Sequence, residues 1–109
     1  MTVTASRISA APWLIEHEPW SVALVRAKPG IAPGTVLERC MPSWVWAPWD
    51  GYGEPARGVL LGYEGNRARV ITRDAIVVGR YLRSGEHGRR GCLLEARGDL
   101  AIYGIKVRG

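Results

Sequence analysis

The sequence predicts a small, mainly β (α+β) fold in a single domain, a β-sandwich or barrel-like arrangement with one short helix near the C-terminus. The chain has 109 residues, which is enough for one modest core. Short apolar segments alternate along it with glycine- and proline-rich turns, as is typical of successive strands. Only one segment, close to the C-terminus, places apolar residues at helical spacing.

The first residues predict an arm rather than a part of the core. Residues 1–12 are small and polar and show no sustained hydrophobic period. A segment of this composition buries too little apolar surface to fold by itself. We therefore expect a flexible N-terminal arm over residues 1–12, followed by an apolar patch at residues 13–15 and by a β domain that spans residues 13–109.

Alternation and turn residues predict the strands. The predicted strands are residues 20–26, 35–39, 43–47, 57–63, 68–73, 75–82 and 105–108. The turn Glu64–Asn66 is compact and predicts a hairpin. In the third strand, alternation places Trp44 and Trp46 on one face. The helix is predicted over Cys92–Ala101, although Gly98 costs about 1 kcal/mol of helix propensity relative to alanine.

Charge composition leaves two kinds of partner open. The formal net charge is +5, and 13 of the 15 basic residues are arginine. A positive field attracts nucleic acid and acidic surfaces. The arginines are scattered over separate predicted elements, however, so we do not expect nucleic acid as the main partner. A small basic β-barrel that binds single-stranded nucleic acid by stacking and phosphate contacts is kept as the alternative.

No residue pattern predicts catalysis. Cys40 and Cys92 lie far apart, outside any CxxC pair, and His17 and His87 do not complete a zinc site, so we expect two buried thiols. Residues 16–18 (Glu-His-Glu) point to alternate faces of an extended chain, and we interpret them as a solvated loop. We expect no enzyme activity, no metal and no cofactor. No apolar run approaches the roughly 20 residues of a membrane helix, so no membrane partner is expected.

Five short segments, taken in order, resemble the lambda-type head decoration proteins of tailed bacteriophages. They are Gly34–Leu37, Trp46–Gly51, Ala56–Leu60, Arg69–Val78 and Leu93–Val107. Each segment is short and apolar, and the resemblance rests on their order and spacing over roughly residues 14 to 108.

The resemblance implies a structural role in the virion. Such a protein is a compact β-rich protomer that associates as a homotrimer. The trimer sits on the outer surface of the capsid, at three-fold sites of an expanded head assembled in the host cytoplasm, and clamps the major capsid protein. It thereby stabilises the shell against the pressure of the packed DNA. The resemblance transfers no catalytic residue. Another structural component of the phage head or tail is a further alternative.

Two groups of candidate binding residues follow. The polar-then-apolar pattern of the arm predicts capsid contacts from Thr2, Val3, Thr4, Ile8, Trp13, Leu14 and Ile15. The aromatic central segment predicts a trimer interface that contains Trp44, Trp46, Trp49 and Tyr52. Aromatic rings of this kind also fill protein cores, and we keep that interpretation beside the interface one.

Overall fold

The computed structural model describes residues 12–51, 54–85 and 92–109, and of residues 92–94 the backbone alone. The elements of this part of the chain are β1 (Leu14–His17), β2 (Val22–Val25), β3 (Val36–Cys40), β4 (Val45–Pro48), β5 (Gly58–Glu64), β6 (Arg67–Ile71), β7 (Ala75–Val78), α1 (Cys92–Ala101) and β8 (Ile105–Arg108). Two short 3-10 turns, Pro19–Ser21 and Gly79–Tyr81, lie between them. The predicted fold class, a mainly β single domain with one short C-terminal helix, is confirmed.

Five strands form an antiparallel sheet that closes on itself. The strand order is β2-β6-β5-β3-β4. Beyond β2 the chain reaches Ala27, which makes a parallel bridge to Trp46 in β4. The Lys28 N–H donates to the Trp46 carbonyl at 3.0 Å, and the Trp46 N–H donates to the Arg26 carbonyl at 2.8 Å. This bridge joins the two edge strands, so the sheet becomes a small barrel without a long open edge.

The barrel interior is filled by one face of these five strands. Its buried residues are Leu37, Trp46, Leu60, Ala68 and Val70, against which Val25, Ala27 and Ile31 pack. The strand registers place the first group on a common face, since side chains alternate along each strand. Gly58 lies beneath the Trp46 ring, and a Cβ there would come within 2.6 Å of the Ile71 carbonyl oxygen.

A second sheet, of order β1-β7-β8, covers the outer face of the barrel. Strand β1 pairs antiparallel with β7, and β8 pairs parallel with it. The connection from β7 to β8 contains α1, which packs on β8. The second core lies between this sheet, the helix and the barrel, and contains Trp13, Val36, Trp49, Ala56, Val59, Ile71, Ala75, Val77, Leu82, Ala96, Leu100 and Ile105.

The structure confirms the hairpin at Glu64–Asn66, the helix over Cys92–Ala101 and the last strand. It corrects three local predictions. Strand β1 includes Glu16 and His17, which we expected in a loop, because β7 supplies their backbone partners. Residues 20–21 and 79–81 lie in 3-10 turns where strands were predicted. Trp44 lies outside β4 with φ at 62°, so it does not share a face with Trp46.

The predicted arm falls outside the described residues, apart from Pro12, which lies in a turn. Residues 86–91, which precede α1, also lie outside the described residues.

Two glycines of β5 test the close packing of the barrel. We expect G58A to lower the free energy of unfolding by about 1–3 kcal/mol, because the new methyl group would overlap the Ile71 carbonyl and the Val70 side chain. The matched control is G62A in the same strand, where a Cβ would meet nothing within 4 Å. Urea denaturation measures both variants. Equal stability of the two would contradict the packing of Gly58 inside the barrel.

Candidate functional site: an arginine–aromatic groove

The residues expected to bind the capsid divide between core and surface. Thr2, Val3, Thr4 and Ile8 lie outside the described residues. Trp13 is only 4% exposed and belongs to the second core, with its carbonyl accepting the Val78 N–H at 2.7 Å. Leu14 is half-buried against the same core. Ile15, at 52% exposure, is therefore the member of this group that the described surface offers to a partner.

The aromatic residues expected at a trimer interface also separate. Trp46 and Trp49 are 6% and 2% exposed and fill the two cores of the protomer. These two side chains expose almost no surface that a second subunit could contact. They therefore belong to the protein core and not to a trimer interface. Trp44 is 52% exposed and remains a candidate. Tyr52 lies outside the described residues.

Trp44 contributes to a groove of about 200 Å³ whose residues come from distant parts of the chain. Its lining residues are Arg39, Met41, Trp44, Glu54, Pro55, Arg57 and Tyr103. They belong to β3, to the β3–β4 connection, to the segment before β5 and to the turn after α1. We call this the arginine–aromatic groove. No local pattern of the sequence shows that the fold brings together Arg39, Arg57 and Tyr103, so this part of the groove was not predicted.

Arg57 is held at the centre of this groove. Its guanidinium carbon lies 3.8 Å from the centroid of the Tyr103 ring and 5.8 Å from that of Trp46. Its Nη1 donates to the Thr72 carbonyl oxygen at 3.0 Å. Burial lowers the pKa of Arg57; Tyr103 opposes this shift and the charge of Arg39 adds to it. Since arginine titrates far above neutral pH, the group stays cationic.

A second guanidinium is stacked at the rim. The Arg39 Cζ lies 4.7 Å from the ring centroid of Trp44. Trp44 itself has a left-handed backbone at φ 62°, which costs a residue with a Cβ roughly 1–2 kcal/mol. Met41 beside it is also exposed. The fold thus holds a strained, solvent-facing indole and a methionine next to two oriented cations.

This composition is typical of protein-binding surfaces. Trp, Tyr, Met and Arg are the residue types enriched at the centres of interfaces between proteins. A guanidinium that is already stacked on a ring loses less freedom when it binds a carboxylate. The groove can therefore bind a protein surface that offers a carboxylate beside an apolar side chain.

Trp20 is linked through Asp74 to the turn that carries Tyr103. Its Nε1–H donates to Asp74 Oδ2 at 3.0 Å, and the Asp74 N–H donates to the Tyr103 carbonyl at 3.1 Å. Its ring is exposed and thus available to a partner.

A buried carboxylate supports the loop that leads to the groove. Glu38 is 8% exposed, and its Oε1 accepts the Asp50 N–H at 3.2 Å. Burial raises the pKa of Glu38; the hydrogen bond from Asp50 partly opposes the shift, and the charges of Asp50 and Glu54 add to it. The segment after β4 is in this way tied to β3.

The described residues offer few other features for chemistry. Cys40 is half-buried and free, rather than buried as expected, and the side chain of Cys92 is not described. Among the described residues, no group of three or more His, Cys, Asp or Glu side chains is placed to hold a metal ion. Within the same ranges, no helix is long and apolar enough to cross a membrane.

Comparison with protein-family models, curated proteins and solved structures yields no match for this chain. The class of protein is therefore defined by its own geometry. It is a small β-barrel with a three-stranded sheet on its outer face and an exposed groove of arginine and aromatic side chains.

Substitutions of Trp44 and Trp49 should differ in their effect on stability, because one side chain is on the surface and the other is in the core. We expect W49A to lose about 3–5 kcal/mol of unfolding free energy, since it leaves a cavity in the second core. We expect W44G to stay within about 1 kcal/mol of wild type when both are compared as protomers at high dilution, because loss of the stacking on Arg39 is offset by relief of the left-handed backbone. Chemical denaturation followed by circular dichroism measures both. Comparable losses would refute the assignment of Trp44 to the surface.

Glu38 should give the stability a pH dependence. Its raised pKa means that the folded protein holds this proton more tightly than the unfolded chain, so its contribution to stability falls as the pH rises above about 4.5. E38Q cannot ionise and keeps an oxygen for the Asp50 N–H. We expect E38Q to be more stable than wild type at pH 7, with an advantage that disappears as the pH falls below 4.5.

Urea titrations across this pH range measure the effect, with E95Q on the exposed side of α1 as control. An E38Q profile parallel to that of wild type, like that of the control, would contradict the role of buried Glu38.

Proposed function

We propose that this chain is a structural protein that decorates the outer surface of an expanded phage head. It binds the major capsid protein as homotrimers at three-fold sites and stabilises the shell against the internal pressure of the DNA. The observation that carries the proposal is the arginine–aromatic groove, an exposed surface composed for protein contacts on a small β protomer.

The ordered resemblance gives independent support. Gly34–Leu37 leads into β3, Ala56–Leu60 into β5, and Leu93–Val107 covers α1 and most of β8. These segments contribute to two of the five barrel strands, to the helix and to the last strand. A compact β-rich protomer with little helix is the fold that the resemblance implies.

Surplus apolar surface supports self-association. The exposed large apolar side chains of the described residues are Ile15, Trp20, Leu24, Met41, Trp44, Tyr63, Tyr81 and Ile102. Cyclic association buries such surface without leaving an open end. We place the contact between subunits at the arginine–aromatic groove, where two of these side chains, Met41 and Trp44, stand beside Arg39.

The N-terminal residues provide the capsid contact in this proposal. They precede β1, which is an edge strand of the second sheet. An extended segment can add backbone hydrogen bonds to a sheet edge of a partner. Three such segments on one trimer raise the effective concentration for the second and third contacts. In this proposal the trimer binds only the expanded shell, so binding lowers the free energy of the expanded shell.

Deletion of residues 2–12 tests the capsid contact. Trp13, which anchors the start of the domain in the core, is retained. We expect the shortened protein to remain folded and trimeric but to lose most of its binding to expanded empty heads of the same phage, measured by co-sedimentation. Undiminished binding would refute the contact by the N-terminal residues.

The groove variant W44G tests the subunit contact. We expect wild type to sediment as a trimer of 12.0 kDa protomers and W44G to shift towards monomer. The matched control is Y81A, which removes another exposed aromatic ring whose neighbour Arg80 lies 4.9 Å from its centroid. Analytical ultracentrifugation measures all three. A W44G trimer as stable as that of Y81A would exclude the groove as the contact.

A second candidate is supported by the closed barrel and by the net charge of +5. It is the binding of single-stranded nucleic acid, for which Arg57 and the rings of Trp44 and Tyr103 would provide the stacking surface. It predicts affinity for oligonucleotides that falls steeply with salt. The decoration proposal predicts no useful affinity for them, so one salt titration with an oligonucleotide separates the two.

A further inference from the structure

A second groove, of about 350 Å³, lies where the barrel closes. Three exposed cationic side chains line it, those of Arg26, Lys28 and Arg67. Asn66, Pro29 and Val45 also line it. We call it the basic groove. The sequence showed these arginines on separate elements, and only the closure of the barrel brings them together.

Backbone contacts hold these cations in place. Arg26 and Lys28 flank Ala27, and both make hydrogen bonds to the backbone of Trp46. The Tyr63 hydroxyl also donates to the Lys28 carbonyl. Arg67 opens β6, and because Val25 pairs with Ala68, Arg26 and Arg67 are the next positions along the two strands. The positive charges are thus built on strands and on a closed bridge, not on a free loop.

Three like charges lie close together in the basic groove. Like charges that face each other across neighbouring strands repel and lower stability. Within the described residues, no carboxylate lines the groove to offset them. An anionic partner would remove the repulsion, which makes the groove complementary to negative charge.

The walls indicate which kind of anion fits. Stacking of single-stranded nucleic acid needs aromatic rings, and none of the described side chains that line the groove is aromatic. Three cations beside apolar Val45 and Pro29 suit carboxylates together with their aliphatic stems. We propose that the basic groove binds an acidic segment of a partner protein. This proposal does not rest on the decoration function.

A labelled hexaglutamate peptide serves as the probe, titrated by fluorescence anisotropy at about 0.1 M salt, where the Debye length is about 10 Å. The test variant is K28E/R67E. The matched control is K106E/R108E on β8, where both side chains are exposed in the other sheet. Each pair replaces two positive charges by two negative ones and takes the net charge from +5 to +1. Comparison of the two variants therefore separates a loss of peptide affinity that is specific to the groove from one that the lower net charge causes.

We expect K28E/R67E to weaken peptide binding at least about tenfold and K106E/R108E to weaken it less than about threefold, since exposed charges beyond about 10 Å are largely screened. The neutral variant K28Q/R67Q should give an intermediate loss, and circular dichroism should show all variants folded. Equal loss in both charge-reversed variants would overturn the proposal. Tighter binding of an oligothymidylate that is abolished by K28E/R67E alone would also overturn it and assign the groove to nucleic acid.

Discussion

The parallel bridge between Ala27 and Trp46 is the contact on which the rest of the structure depends. Its two backbone hydrogen bonds join the ends of a five-stranded sheet and so turn a twisted ribbon into a barrel. The bridge fixes Trp46 with its ring in the interior, above Gly58. The outer side of the same ring faces the Arg57 guanidinium, and the bridging backbone carries Arg26 and Lys28. The basic groove is therefore a consequence of how the barrel closes, and Arg57 of the arginine–aromatic groove lies against the same tryptophan.

The sequence predicted those elements whose signals are local. The turn residues Glu64–Asn66 are enough to predict the hairpin. The spacing of apolar residues within Cys92–Ala101 is likewise enough to predict the helix. Strand β1 was not predicted, because its short run of apolar residues becomes a strand only when β7 pairs with it. The exposure of the tryptophans was not predictable either: Trp44 and Trp46 are two residues apart, but a left-handed turn at the first places one ring outside and the other inside.

The candidate site was predictable only in part. A central aromatic segment pointed to Trp44, but the arginines that give the groove its chemistry carry no local motif. Arg57 precedes a buried strand and Tyr103 follows the helix, and their 3.8 Å contact exists only in the folded chain. The same reason explains why two of the scattered arginines, Arg26 and Arg67, line one groove together with Lys28. Order and spacing of short segments can suggest a fold, whereas the surface chemistry depends on which loops the fold brings together.

The second sheet also constrains how the chain is made. All five barrel strands are synthesised before β7, so the barrel can close while the remainder is still being translated. Strand β1 emerges first of all, yet its backbone partner β7 comes more than half the chain later, and β8 later still. Until then the Trp13 side chain and the outer face of the barrel lack their covering layer. We expect the nascent chain to expose this apolar face on the ribosome, which makes it the part of the protein most exposed to chaperones and to premature association.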